Sequence, residues 1–291
     1  MTDEKQNQNT YVFDPESPAE MTRLINQGRQ LTQAMGGLFT GIPDISGLHN
    51  VLDVACGPGS WVLDVAFAHP EIEVAGIDIS RAMIDFANAR ARTQKLTNAS
   101  FGVMDITQPL DFPDGAFDMI NARFLFAVLK REAWGPFVQE CTRLLRPGGI
   151  LRLTEPLDIG TSNSAALESL CALLYRALWR AGYCFSVDGR TVGMTPMLPR
   201  LLRNAGYKEI HTRGYALESS AETDAWADGY RNAEIAYYQL MPLLVKAGGA
   251  TQEEVEQLYQ RMLIEMHAAD YCCAWNFVSA VGYKPPVPVE G

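Results

Sequence analysis

The sequence predicts an α/β fold, with a seven-stranded, mostly parallel sheet, helices on both faces and a helical cap. Three observations predict it. Strand-like apolar segments alternate with segments of helical periodicity between residues 50 and 155. A glycine-rich turn follows the first of these strands, as at the ligand-binding edge of parallel sheets. After Pro156 longer helix-like segments replace the alternation, and we expect them to form the cap.

Local patterns predict each element in turn. A helix is expected from Asp14 to Met35, where apolar residues recur at helical spacing before Gly36 and Gly37. Strands are predicted in NVLDV, EVAGIDIS, ASFGVMD, FDMINARF, GILRLTE, YKEIHTRGYALES and CAWNFVSAVGYK. Further helices are predicted over residues 61–68, 81–94, 131–145, 164–182 and 196–205, with two more between 221 and 268.

Composition and charge exclude several classes of function. The formal net charge is −10 and the pI is near 4.9, so a polyanionic partner such as nucleic acid is not expected. No apolar run approaches the roughly 18 residues of a membrane helix, and the polar N-terminus is not a signal peptide. We therefore expect a cytoplasmic protein without membrane contact. The 6 cysteines and 4 histidines do not cluster, so no metal site is expected.

The segment LDVACGPGS carries the strongest functional signal. Gly57 and Gly59 have no side chains and so allow backbone to approach a ligand, and the helix after them presents free N–H groups. Asp53 is a carboxylate inside an apolar strand, which is costly without a partner. Val62 stands where a dinucleotide-binding turn has its third glycine, and this disfavours NAD and FAD.

Two further carboxylates predict a nucleoside site. Asp78 ends the second strand about 20 residues past the glycine turn, where an acid accepts hydrogen bonds from ribose hydroxyls. Ser80 is the better N-cap for the next helix. Asp105 lies between Met104 and Ile106 after the third strand, which suits the exocyclic amine of adenine with apolar neighbours against the ring. The alternative for Asp105 is a cap within the loop.

Four segments in order resemble the motifs of class I S-adenosylmethionine-dependent methyltransferases: VLDVACGPGSW, GIDIS, VMDITQPLDFPDGAFDMINARF and LLRPGGILRLTE. The resemblance is greatest to the small-molecule branch that includes the ubiquinone/menaquinone-biosynthesis type, and it covers residues 50–155. It implies a Rossmann-like fold, S-adenosyl-L-methionine as cofactor, and methyl transfer to an O, N or C atom of a small molecule.

The resemblance also implies roles for single residues. Gly57 and Gly59 would border the methionyl part of the cofactor, with Asp53 behind the glycine loop near the ammonium group. Asp78 would hold the ribose. The remaining expected cofactor contacts are Ile79 and Met83 at the nucleoside, Met104, Asp105 and Ile106 at adenine, and Asn121, after the fourth strand, at the methionyl amino group.

We interpret residues 1–291 as a single methyltransferase domain with four parts. These are an N-terminal helical lid at 1–45, a cofactor-binding core at 46–155, and cap insertions at 156–205 and 219–270. We predict that the N-terminal helix closes over bound cofactor and that Tyr11 shields it from water. The lid and cap are rich in aromatic residues, so the acceptor is expected to be aromatic, apolar or cationic.

The sequence assigns no catalytic residue, because a sulfonium is already electrophilic and mainly needs alignment. A base is required only for an acceptor that carries a proton, and the candidates are His211, His267, Glu155 and Asp158. Two alternatives stay open: an S-adenosylmethionine-binding protein with a non-methylating activity, and an NAD(P)-dependent oxidoreductase. The acceptor and the formation of a homodimer also stay open.

Overall fold

A computed structural model describes residues 11–286, which form a central sheet with helices on both faces. The strands are β1 (Asn50–Val54), β2 (Glu73–Asp78), β3 (Ala99–Val103), β4 (Phe117–Arg123), β5 (Leu145–Pro156), β6 (Thr161–Ser162), β7 (Lys208–Glu218) and β8 (Cys273–Tyr283). The helices are α1 (Pro18–Met35), α2 (Ser60–Ala68), α3 (Arg81–Thr93), α4 (Trp134–Leu144), α5 (Ala165–Arg180), α6 (Met197–Asn204), α7 (Trp226–Leu243) and α8 (Gln252–Glu265). The predicted elements are therefore confirmed, with shifted ends.

The sheet is mostly parallel, as predicted. Strands β3, β2, β1, β4 and β5 are parallel neighbours in that order, and β8 pairs antiparallel with both β5 and β7. The short strand β6 was not predicted. Ala274 of β8 pairs with Thr161 of β6 and with Glu218 of β7. Since a strand residue has one neighbour on each side, β6 extends the β5 side and β7 forms the far edge.

The order of the strands places the crevice for a ligand. The chain moves from β1 outward to β3 and then returns to β4 on the other side of β1. Such a reversal opens a crevice at the carboxyl ends of the central strands. In β1 the residues after Asn50 are all buried, as expected of a parallel strand covered on both faces. Asp53 is among them and is 3% exposed.

The cap, which we define as α5, α7 and α8, has an apolar core of its own. A turn of π-helix at Leu244–Gly248 continues α7 beyond Pro242 and leads to α8. Residues that form this core include Leu170, Leu174, Tyr237, Leu240, Val255 and Met262. Separate clusters lie on the two sides of the sheet. No helix in residues 11–286 has both the length and the apolar character needed to cross a membrane.

Helix α1 joins the sheet to the cap. It begins later than predicted, at Pro18, because Ser17 caps it by accepting a hydrogen bond from the Glu20 N–H at 3.5 Å. The Arg23 guanidinium binds the Glu20 carboxylate at 2.6 Å and the Asn232 Oδ1 of α7 at 3.0 Å. Both Glu20 and Arg23 are buried. The helix is therefore held against the cap by a buried polar contact as well as by packing.

Candidate active site

A cavity of about 240 Å³ lies at the carboxyl ends of β1, β2 and β4, beneath α1 and the cap. The predicted cofactor residues that line it are Tyr11, Asp53, Gly57, Asp78, Ile79, Met83, Met104, Asp105 and Ile106. Gly59 and Asn121 are not among the lining residues. The structure thus brings most of the predicted set to one cavity, and their roles toward a cofactor stay predictions.

The two glycines of the turn have different surroundings. Gly57 has a φ of 54° and donates its N–H to Asp78 Oδ2 at 2.9 Å. Gly59 has a φ of 74°, and a Cβ there would lie 2.6 Å from the Phe101 ring of β3. It is also the N-cap residue of α2. Gly57 therefore shapes the edge of the cavity, while Gly59 allows helix and strand to approach each other.

The Asp78 carboxylate forms hydrogen bonds with the backbone of the turn beside it. Its Oδ1 accepts a hydrogen bond from the Ser80 N–H at 2.9 Å, and its Oδ2 accepts the one from Gly57. Burial raises the pKa of Asp78, and these N–H groups oppose the rise. An ionised carboxylate has about four lone-pair sites, so Asp78 keeps acceptor capacity for a ligand hydroxyl. Ser80 is the N-cap of α3, as predicted, since its side chain accepts from the Met83 N–H.

Asp105 lies two residues beyond the end of β3 and is half-buried. Its Oδ1 accepts hydrogen bonds from the N–H and the hydroxyl of Thr107 at 2.9 and 2.7 Å. This is the loop cap that the sequence left as the alternative. Among the hydrogen bonds of the described residues, Asp105 Oδ2 takes part in none. One oxygen thus orders the loop, and the other is available to a ligand amine.

Asn121 lies inside β4 rather than after it, and this corrects the sequence interpretation. It is the register partner of Asp53 and is fully buried. Its Nδ2 donates to Asp53 Oδ1 at 2.6 Å, and its Oδ1 accepts from Arg152 Nε at 2.8 Å. Burial raises the pKa of Asp53 to about 6. Asn121 therefore does not line the cavity. It holds the Asp53 carboxylate in position through their hydrogen bond.

Arg123 and Gln30 are among the polar residues of the cavity that the sequence interpretation missed. Arg123 is the last residue of β4, and its Nη1 donates to Thr32 Oγ1 at 3.2 Å. Gln30 of α1 is 8% exposed, and its Nε2 has no hydrogen-bond partner among residues 11–286. An arginine at the end of an apolar strand was a usable signal for Arg123. No comparable signal marked Gln30, because glutamine is common on helices.

Comparisons with known proteins agree with this geometry. A family model described as a methyltransferase domain matches residues 51–149. The methyltransferase pytC of Aspergillus terreus is 26% identical over 250 residues, which cover 81% of this chain and 71% of that protein. A demethylmenaquinone methyltransferase of Deinococcus radiodurans is 33% identical over 105 residues, or 36% of this chain and 42% of that protein.

The fold has solved counterparts. A structure of a phosphoethanolamine N-methyltransferase from Haemonchus contortus is 17% identical, with a TM-score of 0.54 over 93% of this chain and 58% of that chain. That protein was solved with phosphomonomethylethanolamine and S-adenosylhomocysteine. Residues 51–149 thus match a methyltransferase domain, and the fold is shared with solved methyltransferases. The family resemblance, the fold and the cofactor predicted from the sequence are confirmed.

The N-terminal segment of this methyltransferase crosses the cavity. Tyr11 lines it and donates its hydroxyl to Glu20 Oε1 at 2.6 Å. The Val12 N–H donates to the Ala127 carbonyl at 3.2 Å on the loop after β4. On the other side, Ser80 Oγ donates to Glu16 Oε1 at 2.8 Å. Residues 11–17 therefore connect the β4 side of the cavity to the start of α3.

None of the four candidate bases lines the cavity. Glu155 is buried and accepts hydrogen bonds from the N–H groups of Leu125 and Phe126 at 2.7 and 3.0 Å, so it supports the loop after β4. Asp158 binds Asn276, His211 is exposed on β7, and His267 lies against the rings of Trp226 and Tyr230. The methyltransferase therefore presents neither an imidazole nor a glutamate from residues 11–286 to the cavity.

Away from Asp78 the cavity extends under the cap, and we call this part the cap half. Its lining is largely apolar and includes Phe124, Phe126, Leu167, Leu174, Leu217, Leu240 and Trp275. Tyr237 also lines it, but its hydroxyl lies 3.0 Å from Cys171 Sγ, and burial raises its pKa well above the usual range. Other aromatic residues of the cap, such as Trp226 and Tyr230, stack on each other outside this lining.

Proposed function

We propose that this methyltransferase acts on a small molecule with an apolar, uncharged body. The observation that carries the proposal is the continuity of the cavity, which runs from Asp78 and Gly57 to the apolar cap half. Arg23 is the charged residue beside the cap half, and its charge is already paired with buried Glu20. Apolar walls with few polar groups are typical of sites for small hydrophobic ligands.

The residues at the Asp78 end of the cavity, opposite the cap half, fit the predicted cofactor. The Asp78 carboxylate keeps acceptor capacity for the ribose, and Asp105 Oδ2 is open to an adenine amine. Ile79, Met83 and Ile106 supply apolar surface beside them. Bound S-adenosylmethionine would supply a methyl group on a positively charged sulfur. The protein's part is then to align an acceptor atom with that methyl and to exclude water.

The lining also restricts how the acceptor loses a proton. The carboxylates at the cavity, Asp53, Asp78 and Asp105, are engaged at the cofactor end, and the Tyr237 hydroxyl has a raised pKa. Away from the cofactor end, the lining that residues 11–286 provide thus lacks a side chain suited to act as a base at neutral pH. We infer that the acceptor atom carries a free lone pair or is already anionic, as in an unprotonated amine or a phenolate.

Methylation assays test this proposal. Purified protein with S-adenosylmethionine is incubated with matched neutral, cationic and anionic acceptors, and products are detected by mass spectrometry. We expect apolar neutral acceptors or phenolates to give a product that is heavier by one methyl group. The pH dependence of kcat/KM should follow the pKa of the acceptor itself. Binding of S-adenosylhomocysteine without methylation of any acceptor would favour the non-methylating alternative. A preference for highly charged acceptors would contradict the proposed acceptor class.

The N-terminal segment gives a separate prediction about closure. Because residues 11–17 bridge the cavity and Tyr11 lies in its lining, we expect binding of S-adenosylhomocysteine to slow amide exchange over residues 11–35. Exchange should also slow around Gly57 and Asp78. Helix α8 lies outside the cavity lining and serves as the internal control, with unchanged exchange. Protection confined to the glycine turn and β2 would show that α1 is scaffold and not a lid.

A further inference from the structure

A buried arginine lies between α1 and α7 beside the cap half, and all of its donors are in use. Arg23 donates from Nε and Nη2 to the Glu20 carboxylate at 2.8 and 2.6 Å, and Nη2 also lies 3.4 Å from the Tyr11 hydroxyl. Its Nη1 donates to Gln27 Oε1 at 2.9 Å and to Asn232 Oδ1 at 3.0 Å. These contacts account for the five N–H donors of a guanidinium.

Arg23 fixes the orientation of two amide groups. A guanidinium can only donate hydrogen bonds, so the atom that each amide turns toward Arg23 is its oxygen. The NH2 ends of Gln27 and Asn232 take part in no hydrogen bond among residues 11–286. Since the two amide oxygens accept from the same Nη1 atom at 2.9 and 3.0 Å, they lie less than 6 Å apart. Two neighbouring amide donors are therefore unused.

Both amide residues line the cavity, together with the small side chains of Ala233 and Ala236 on α7. Gln27 is 8% exposed, and its Nε2 is not fully enclosed by the described residues although it lacks a partner. The cavity is the space that Gln27 lines. Asn232 borders the cavity and also a groove of about 150 Å³ between α1 and α7. Gln27 is therefore the first donor available to a ligand in the cavity, and Asn232 is the second.

The charge around these amides indicates which ligand oxygen they suit. Arg23 forms a buried ion pair with Glu20, so its positive charge is already balanced. Burying a ligand anion there without a counter-charge would be costly. A hydroxyl would need an acceptor for its own hydrogen, and an amide NH2 group can only donate. A neutral carbonyl oxygen only accepts, and it therefore matches both amides.

We propose that Gln27 and Asn232 bind a neutral carbonyl oxygen of the methyl acceptor, such as that of a ketone. This inference rests on the proposed function, and it narrows the acceptor from an apolar molecule to an apolar molecule with a carbonyl group on the side that faces α1. The apolar lining of the cap half would hold the rest of the molecule. A hydrocarbon analogue of the same shape would leave both donors unpaired, so the amides also select against it.

A matched pair of phenols tests the carbonyl contact. The ketone 4-(4-hydroxyphenyl)butan-2-one and the hydrocarbon analogue 4-butylphenol differ only by a carbonyl in place of a methylene group. Both are titrated calorimetrically into protein saturated with S-adenosylhomocysteine. We expect the wild type to bind the ketone about tenfold more tightly than 4-butylphenol. Gln27→Glu keeps an oxygen for Arg23 but loses the NH2 donor, so this preference should fall below about threefold.

Two other variants complete the experiment. Asn232→Asp makes the equivalent change on α7, and it should also reduce the preference for the ketone. Gln33→Glu makes the same chemical change as Gln27→Glu at an exposed position of α1. It is the matched control, and its preference should equal that of the wild type. Affinity for 4-butylphenol should change by less than about threefold in all three variants, because 4-butylphenol has no carbonyl to lose a contact.

Each other outcome has a distinct meaning. If the wild type does not bind S-adenosylhomocysteine, the proposed function fails. If it binds S-adenosylhomocysteine but does not prefer the ketone, only the carbonyl site is overturned. If Gln27→Glu weakens both phenols equally, Gln27 supports the wall of the cavity and binds no carbonyl. If it weakens S-adenosylhomocysteine and preserves the preference for the ketone, Gln27 serves the cofactor instead. Should Gln27→Glu not fold, Asn232→Asp and the preference of the wild type decide between these outcomes.

Discussion

Replacing Asp78 by alanine should weaken the binding of S-adenosylhomocysteine by at least about 100-fold. Hydrogen bonds to a charged group contribute about 1.5–3 kcal/mol each, and a ribose diol would lose two of them. The substitution also removes the acceptor of the Gly57 and Ser80 N–H groups, so the turn loses its internal support. Calorimetric titration measures the affinity, and circular dichroism verifies the fold.

Two further variants provide an intermediate case and a control for the Asp78 experiment. Asp78→Asn keeps one oxygen acceptor but not the charge, so an intermediate loss of about tenfold is expected. Asp85→Ala changes an exposed carboxylate on α3 and should leave affinity unaltered. NADH should not bind to the wild type. Wild-type affinity in folded Asp78→Ala would refute the ribose assignment, and binding of NADH would revive the oxidoreductase alternative.

Substitution of Glu155 should lower the free energy of unfolding more than substitution of most other residues. Glu155→Ala leaves the N–H groups of Leu125 and Phe126 without their acceptor. A buried unsatisfied donor costs about 1–3 kcal/mol, so we expect the free energy of unfolding to fall by about 4 kcal/mol. Urea denaturation measures this loss. Glu218→Gln changes an exposed glutamate and provides the control. A loss below about 1 kcal/mol in Glu155→Ala would show that water or the loop itself replaces the carboxylate.

Glu155 also makes stability depend on pH. Burial raises its pKa to about 8 in the folded protein, whereas a glutamate in an unfolded chain titrates near 4.3. Between these values the unfolded chain releases the proton first, so the free energy of unfolding decreases from about pH 4 to about pH 8. Glu155→Gln cannot titrate. The stability difference between wild type and this variant should therefore shrink as pH rises, and a constant difference would contradict the raised pKa.

The sequence was sufficient to predict the fold and to find Asp78 and Asp105 as residues of one cavity, because both depend on local patterns. The alternation of strands and helices predicted the sheet, and Asp78 and Asp105 were found from their places at strand ends. The strand β6 was missed because two residues after a break carry no periodicity. Its pairing depends on β8, which lies far along the chain.

What the sequence could not supply was the direction of side chains in three dimensions. The sequence interpretation placed Asn121 at the ligand. In the structure it is buried beside Asp53, its register partner, and donates a hydrogen bond to the Asp53 carboxylate. Glu155 was a candidate base until its contacts with Leu125 and Phe126 identified it as a support for the loop. Arg123 was visible as an unusual residue in a strand, but its hydrogen bond to Thr32 depends on the packing of α1 against the sheet.

The separate apolar core of the cap has an evolutionary consequence. Leu174, Tyr237 and Leu240 belong to that core and also line the cavity, whereas Asp78 and Gly57 stand on the sheet and its loops. Substitutions in the cap can therefore reshape the cap half of the cavity without altering the residues around Asp78 and Gly57. A new substrate preference can arise while the transfer machinery is preserved. Directed evolution of this enzyme toward other acceptors is accordingly best confined to α5 and α7.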